Sequence, residues 1–408
     1  GGLLFGRPDL SVKGGGAVRH PRILAALLLA LTLLLFSPWT ALAQEGEGES
    51  PATDTQQILQ EQYDLSGASQ LEDALPDEAR DTLEDSGLLD GDLTGERALS
   101  FLDLPRLLGS LWESVKATAK EPVRILALIV VTILVCAMAE SMKSTFFSES
   151  LSPVVSVVAT LCIAVAVVAP VYRLIQDLNQ TLLSTNQFIA TFAPIYSTVA
   201  ATSGQPLTAT AYSGVLMLVV QGVSAICSST IVPLLGLMLA FSVTGAVQSD
   251  LRVSAISGGL KNAAVVLLTL LLTIFCGVLS MQSFVTSASD NLAMKTGKLL
   301  IGNMVPIVGG AVSDALSSVY GCLKVVKNGV GVFGIAAVVV SFVPLLLRCL
   351  LYKATLWAGA FFCDMLGVSS VRDTLKSIGN CLTIAVALLF TYALLVIITT
   401  VIVMMGVG

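Results

Sequence analysis

Asp314 sits in the stretch VPIVGGAVSDA (residues 305–315), where Pro306 and the adjacent Gly309 and Gly310 precede a single carboxylate in otherwise apolar sequence. A carboxylate in that setting can relay a proton or hold a cation. It needs support, because an ionisable group at bilayer depth costs about 2.5 to 3.5 kcal/mol on insertion scales unless it meets a partner or water. The proline and glycines supply a reason: a helix broken at membrane depth is tolerated where it is buried in protein or lines a cavity. Asp364, Arg173, Asp250, Arg252 and Arg348 also stand in or beside apolar stretches, and they read as interfacial groups whose charged heads reach water.

Other chemistries find little support. The one histidine, His20, precedes the apolar run of a signal peptide and would be lost with it, so the mature chain has no imidazole for a Ser-His-Asp or Cys-His mechanism. Eight cysteines (Cys136, Cys162, Cys227, Cys276, Cys322, Cys349, Cys363 and Cys381) lie in apolar stretches without C-x-x-C spacing. They read as small buried hydrophobes, not as a disulfide framework or a zinc site. GVGVFG (329–334) fits G-x-G-x-x-G, but it follows KVVKN instead of a strand and opens a segment apolar enough to cross a bilayer. Close helix packing is the better account of it. Neither Gly258-Gly259 nor Gly309-Gly310 is followed by the Lys-Ser/Thr of a phosphate loop. No second carboxylate lies within helical reach of Asp314, which weakens an acid–base enzyme. No cofactor and no metal are expected.

The elements that must position these residues are membrane helices. The 408-residue chain is 55% hydrophobic and 12% charged, with a mean hydropathy of +0.86, far more apolar than a soluble domain. Apolar segments fall at 123–140, 153–171, 210–229, 231–247, 263–281, 330–351 and 380–404, with a short or re-entrant piece at 354–367. Each span is close to the roughly 20 residues that a bilayer core requires. The expected fold is an all-α polytopic membrane protein of about 6 to 8 transmembrane or re-entrant helices. Amphipathic helices are interspersed at 172–204 and 283–303, where leucines recur opposite Gln and Asn or among small polar residues.

The amino-terminal third has a different character. Arg19 and Arg22, the run ILAALLLALTLLLF (23–36) and Ala41-Leu42-Ala43 follow the order of a secretory signal peptide, with cleavage expected after Ala43. The patternless GGLLFGRPDLSVKGGGA before it reads as sequence upstream of a start near Val18. Residues 44–104 hold 17 of the 28 acidic residues against Arg80 and Arg97 alone. This is an acidic exported region, partly disordered and partly of short helices too small to bury a core by themselves. Residues 105–122, with Trp112 and several basic groups, read as an interfacial helix before the membrane domain of 123–408. The body from 105 onward carries 16 basic and 10 acidic residues, and nothing in this balance fits nucleic-acid binding. With the acidic region exported and five spans counted, 282–329 falls on the cytoplasmic side, where Lys295, Lys298, Lys324 and Lys327 agree with a positive-inside bias.

The stretch NMVPIVGGAVSDALSSVYGCLKVVKNGVGVFG (303–334) resembles the signature region of the stage III sporulation protein AE family, and FAPIYSTVAATSG (192–204) is similar to a second family stretch. The order of signal peptide, acidic exported region and multipass body agrees. The resemblance implies a permease-like component of a trans-envelope channel in the mother-cell membrane around the forespore, required for spore development and late forespore gene expression. Its implied partners are the other stage III A proteins, a forespore membrane partner and lipid, in a homo- or hetero-oligomer. Candidate pore-lining or packing residues are Pro306, Gly309, Gly310, Asp314, Lys324, Lys327, Asn328, Gly329 and Gly331. The family brings no catalytic residues. The alternative reading is a small-molecule permease or exporter that acts alone.

Overall fold

In the computed structural model the described residues are 67, 70–76, 79, 80, 84, 104–141, 152–247, 256–278, 280, 281 and 309–405. All fall in one compact unit, Ala52–Gly408. The expected signal peptide, most of the acidic region, 283–303 and Pro306 lie outside the described residues.

Every regular element described is helical: α1 (Gln70–Asp73), α2 (Leu104–Ser141), α3 (Ser152–Thr202), α4 (Pro206–Ile226), α5 (Val232–Val247), α6 (Ile256–Val278), α7 (Gly309–Leu366) and α8 (Ser369–Met405). The π-turn Cys227–Ile231 joins α4 to α5 without a break. Six of these rods are long and apolar enough to cross a bilayer, α4 and α5 counting as one. In hydrocarbon the backbone has no water to bond, so the chain bonds to itself along each helix.

Several segments that read separately in the sequence are continuous. The span at 153–171 and the amphipathic piece at 172–204 form the single 51-residue α3, about 76 Å long at 1.5 Å per residue. Residues 210–229 and 231–247 share one rod, and α7 runs through 58 residues with Pro344 inside it. Residues 105–122 are the first half of α2, which continues past Pro122. Interior prolines bend membrane helices more readily than they end them, because neighbouring helices and hydroxyl side chains satisfy the freed carbonyls.

Side-chain contacts between helices fix the directions. Tyr196 against Tyr212, and Asn179 against Ser228, make α3 and the α4–α5 rod antiparallel. Phe342 on Tyr392 and Asp364 beside Arg372 do the same for α7 and α8. The Sγ of Cys381 donates to the Leu235 carbonyl, and Ser242 meets Ser377, so α5 also runs against α8. Ser257 near Ser377 and Lys261 bonded to Asn380 set α6 parallel to α8. Successive rods therefore alternate up and down. The α3–α4 turn lies at one end, called here the near end, and the α7–α8 turn at the far end.

The core is built from α3, α7 and α8, with Leu178, Phe188, Phe192, Phe333, Val338, Leu382 and Leu389 enclosed. Leu71, Leu75 and Ala79 of the acidic region are buried in the same cluster, and α1 packs on α3. That region therefore leans on the membrane body. Charge distribution then divides the bundle by height. Residues 178–249 contain no charged residue, and neither do 328–347 or 377–408. The uncharged part of α7 spans about 30 Å, the thickness of a hydrocarbon core.

Candidate functional site

The site begins with a turn. Gly204 closes α3 with φ at +94°, a left-handed conformation that glycine adopts without a Cβ clash. The Gly204 N–H donates to the Ala201 carbonyl at 3.2 Å and the Gln205 N–H to that of Ala200 at 3.1 Å, the paired bonds of a Schellman stop. Pro206 then opens α4, needing no partner for an absent N–H. Gln205 is thus held between two helices, and its side chain is buried.

Lys327 of α7 reaches this turn. Its side chain is fully enclosed, and Nζ donates to Gln205 Oε1 at 3.3 Å. Gln205 Nε2 and Asn328 Oδ1 are enclosed without a hydrogen-bond partner among the described residues. An aromatic ladder descends from the turn along α3: Tyr196, Phe192 and Phe188 stack at 5.4 and 5.6 Å, and Tyr196 meets Tyr212 edge-on. The Tyr212 hydroxyl lies 3.4 Å from Thr400 of α8. α7 approaches the ladder closely because Gly334 has no side chain; a Cβ there would enter the Phe192 ring.

About 32 Å farther along α7 the charges return at Arg348. Tyr352 lies beside Glu121 of α2, with Arg173 and Arg348 close by. Lys353 faces Lys261, which donates to Asn380 at 2.7 Å. Two polar levels therefore bound the uncharged layer, one at Lys327 and the other at Arg173 and Arg348.

The residues singled out in the sequence fall as follows. Gly309 and Gly310 are the first two residues of α7, and Asp314 lies four residues further into it; nothing is described of its side chain. Lys324 is half-buried, Lys327 fully buried, Asn328 half-buried, and Gly329 and Gly331 buried. Asp364 is exposed at the far end and paired with Arg372 at 3.1 Å and Lys376 at 3.4 Å. Arg173 and Arg348 are exposed, whereas Asp250 and Arg252 lie outside the described residues. Sequence reasoning missed Gln205 and the Phe192–Gly334 contact. The signal for Gln205 was its position directly after Ser-Gly and before proline. Among the described residues no cluster of three metal-ligating side chains forms.

Lys327 lies in one of the two stretches flagged by resemblance (303–334), Gln205 directly follows the other (192–204), and Phe192 against Gly334 joins the two. The sequence pattern of stage III sporulation protein AE matches residues 90–408. The chain belongs to that family. Stage III sporulation protein AE of Bacillus subtilis (strain 168) is 22% identical over 248 residues, covering 60% of this chain and 61% of that protein. No solved structure matches. The stage III sporulation protein AE match takes in both halves of the buried contact and all six candidate spans. A family name from sporulation and six apolar rods together make this a sporulation membrane protein.

Proposed function

We propose that the protein is a non-enzymatic, multipass component of a channel complex between mother cell and forespore, seated in the mother-cell membrane and needed for late forespore gene expression. Other stage III A proteins and a forespore membrane partner complete it, and the acidic region lies on the intermembrane side. One observation carries the need for partners. Beyond the Arg173–Arg348 level, towards the far end, α3 and α7 still expose Val165, Trp357 and Met365. At 51 and 58 residues these two rods are longer than a single bilayer of about 30 Å can cover, and apolar surface left outside it is covered by protein. The Lys327–Gln205 contact and the glycine-rich face of α7 serve packing at the near end.

Deleting the gene in its host tests the reading, with heat-resistant spores counted and a late forespore promoter reported. Loss of both, restored by the wild-type gene, is the expected result; normal sporulation would refute it. The second reading, a permease acting alone, draws on the lysine buried at Gln205. Purified protein in liposomes separates the two: autonomous solute flux favours the permease, and silence without partners favours the complex.

A further inference from the structure

Within the uncharged layer the exposed surface has two characters. On α6 the outward residues include Val266, Leu270, Ile274 and Val278, with Thr269 and Thr273, whose hydroxyls donate to carbonyls of their own helix, as lipid contact allows. On α3 they include Gln180 and Gln187, both exposed, followed by Thr198 and Thr202, with exposed Gln176 on the same face at the edge of the layer beside Asp177. At 100° per residue the three glutamines fall within about 40° of arc, with Leu183 the apolar member among them. The threonine hydroxyls donate to Pro194 and Thr198 carbonyls of their own helix, so they tolerate lipid. Glutamine amides have no such local solution, and each carries two donors and an acceptor.

The two faces are at the same height. Asn179 bonds Ser228, seven residues before Leu235, whose carbonyl meets Cys381. Lys261 bonds Asn380. Measured from that common level, Gln180 to Gln187 and Val266 to Ile274 both lie about 8 to 22 Å towards the near end. One bundle at one depth therefore presents hydrocarbon-compatible residues on α6 and unsatisfied amides on α3. Lipid cannot solvate the second set.

We propose that the Gln176–Gln180–Gln187 face of α3 lines a water-filled conduit at membrane depth. The lining is polar and carries no charge between Leu178 and Ser249, which suits small hydrophilic solutes of either sign and selects weakly by charge. Arg173, Gln176 and Asp177 together stand at its far-end mouth. This lining rests on the channel-complex reading above and names a part of it.

The test uses the full chain in liposomes, with Cys162, Cys276 and Cys322 replaced by alanine; the other five cysteines are buried. Single cysteines are placed by Gln176→Cys, Gln180→Cys and Gln187→Cys, and by Val266→Cys and Ile274→Cys for comparison. The α3 positions are expected to react with a charged, water-soluble thiol reagent. A fluorophore at the α6 positions is expected to be quenched by nitroxide-bearing lipid and to resist the charged reagent. Unreactive α3 positions, or α3 cysteines that crosslink copy to copy without reacting, would overturn the conduit. So would α6 positions as reactive as α3, which would put the whole level in bulk water. If the triple alanine background fails to assemble, Gln180→Glu and Gln187→Glu in the native chain replace the labelling. Wild-type membrane levels are then expected, against several-fold losses for Val266→Glu and Ile274→Glu; equal losses overturn the proposal. Normal sporulation after gene deletion would remove the sporulation reading while leaving the labelling pattern intact, so the two failures are distinguishable.

Discussion

Lys327 and Gln205 are 122 residues apart in sequence and 3.3 Å apart in space. The lysine was legible as a charge in a glycine-rich signature. Its partner was not, because a single glutamine beside a turn carries no periodicity. Gln205→Leu takes one acceptor from an enclosed ammonium, and we expect a loss of about 1 to 3 kcal/mol. Lys327→Met removes the charge that needed it, so the double variant recovers most of that loss in a double-mutant cycle. Denaturant unfolding in detergent measures all three. Gly334→Ala drives a methyl into the Phe192 ring and should cost about 1 to 3 kcal/mol, as overpacking does. Adding Phe192→Leu restores much of it. If the Gly334→Ala chain is as stable as wild type, the close approach of α3 and α7 is wrong.

The helices themselves were largely legible, since runs of apolar residues in lipid leave no other form. Their lengths were not. Pro170, Pro194 and Pro344 and the Ser-Ser-Thr at 228–230 look like stops in a sequence, yet each lies inside a continuous rod. Among the described residues the stops are at Gly204 and Gly367, both with positive φ. Gly204→Ala puts a Cβ into the left-handed region and should cost about 1 to 2 kcal/mol, seen as a lower melting temperature in detergent. Ala201→Gly, one turn earlier, supplies the comparison for a change without that strain. Ser377 links α5 and α6 to α8 through Ser242 and Ser257. Hydroxyl contacts of this kind in membrane bundles average about 0.6 kcal/mol, so Ser377→Ala is expected to be mild, and a loss several times larger would mean that the clasp does more than pack.

At the scale of the molecule, rod counting changes the topology. The sequence reading placed five spans before residue 282; with α4 and α5 joined, four rods precede it. If each crosses once and the acidic region is exported, the α3–α4 turn and the amino end of α7 lie on the exported side. Lys327, buried in the bundle, then drops out of the positive-inside argument that supported the opposite side. The break expected around 305–315 does not fall within Gly309–Ala315, because the helix runs unbroken from Gly309 to Leu366; 305–308 lie outside the described residues. Far-end apolar exposure belongs to this scale as well, and it predicts that the purified chain elutes as an oligomer or co-purifies with a membrane partner in mild detergent. The claim on which the rest depends is sporulation itself. Its most direct measurement is the count of heat-resistant spores from a strain lacking the gene, complemented in turn by wild type and by Gly334→Ala/Phe192→Leu. We predict loss on deletion and recovery with both complementing genes; spores formed at wild-type frequency without the gene would contradict the account.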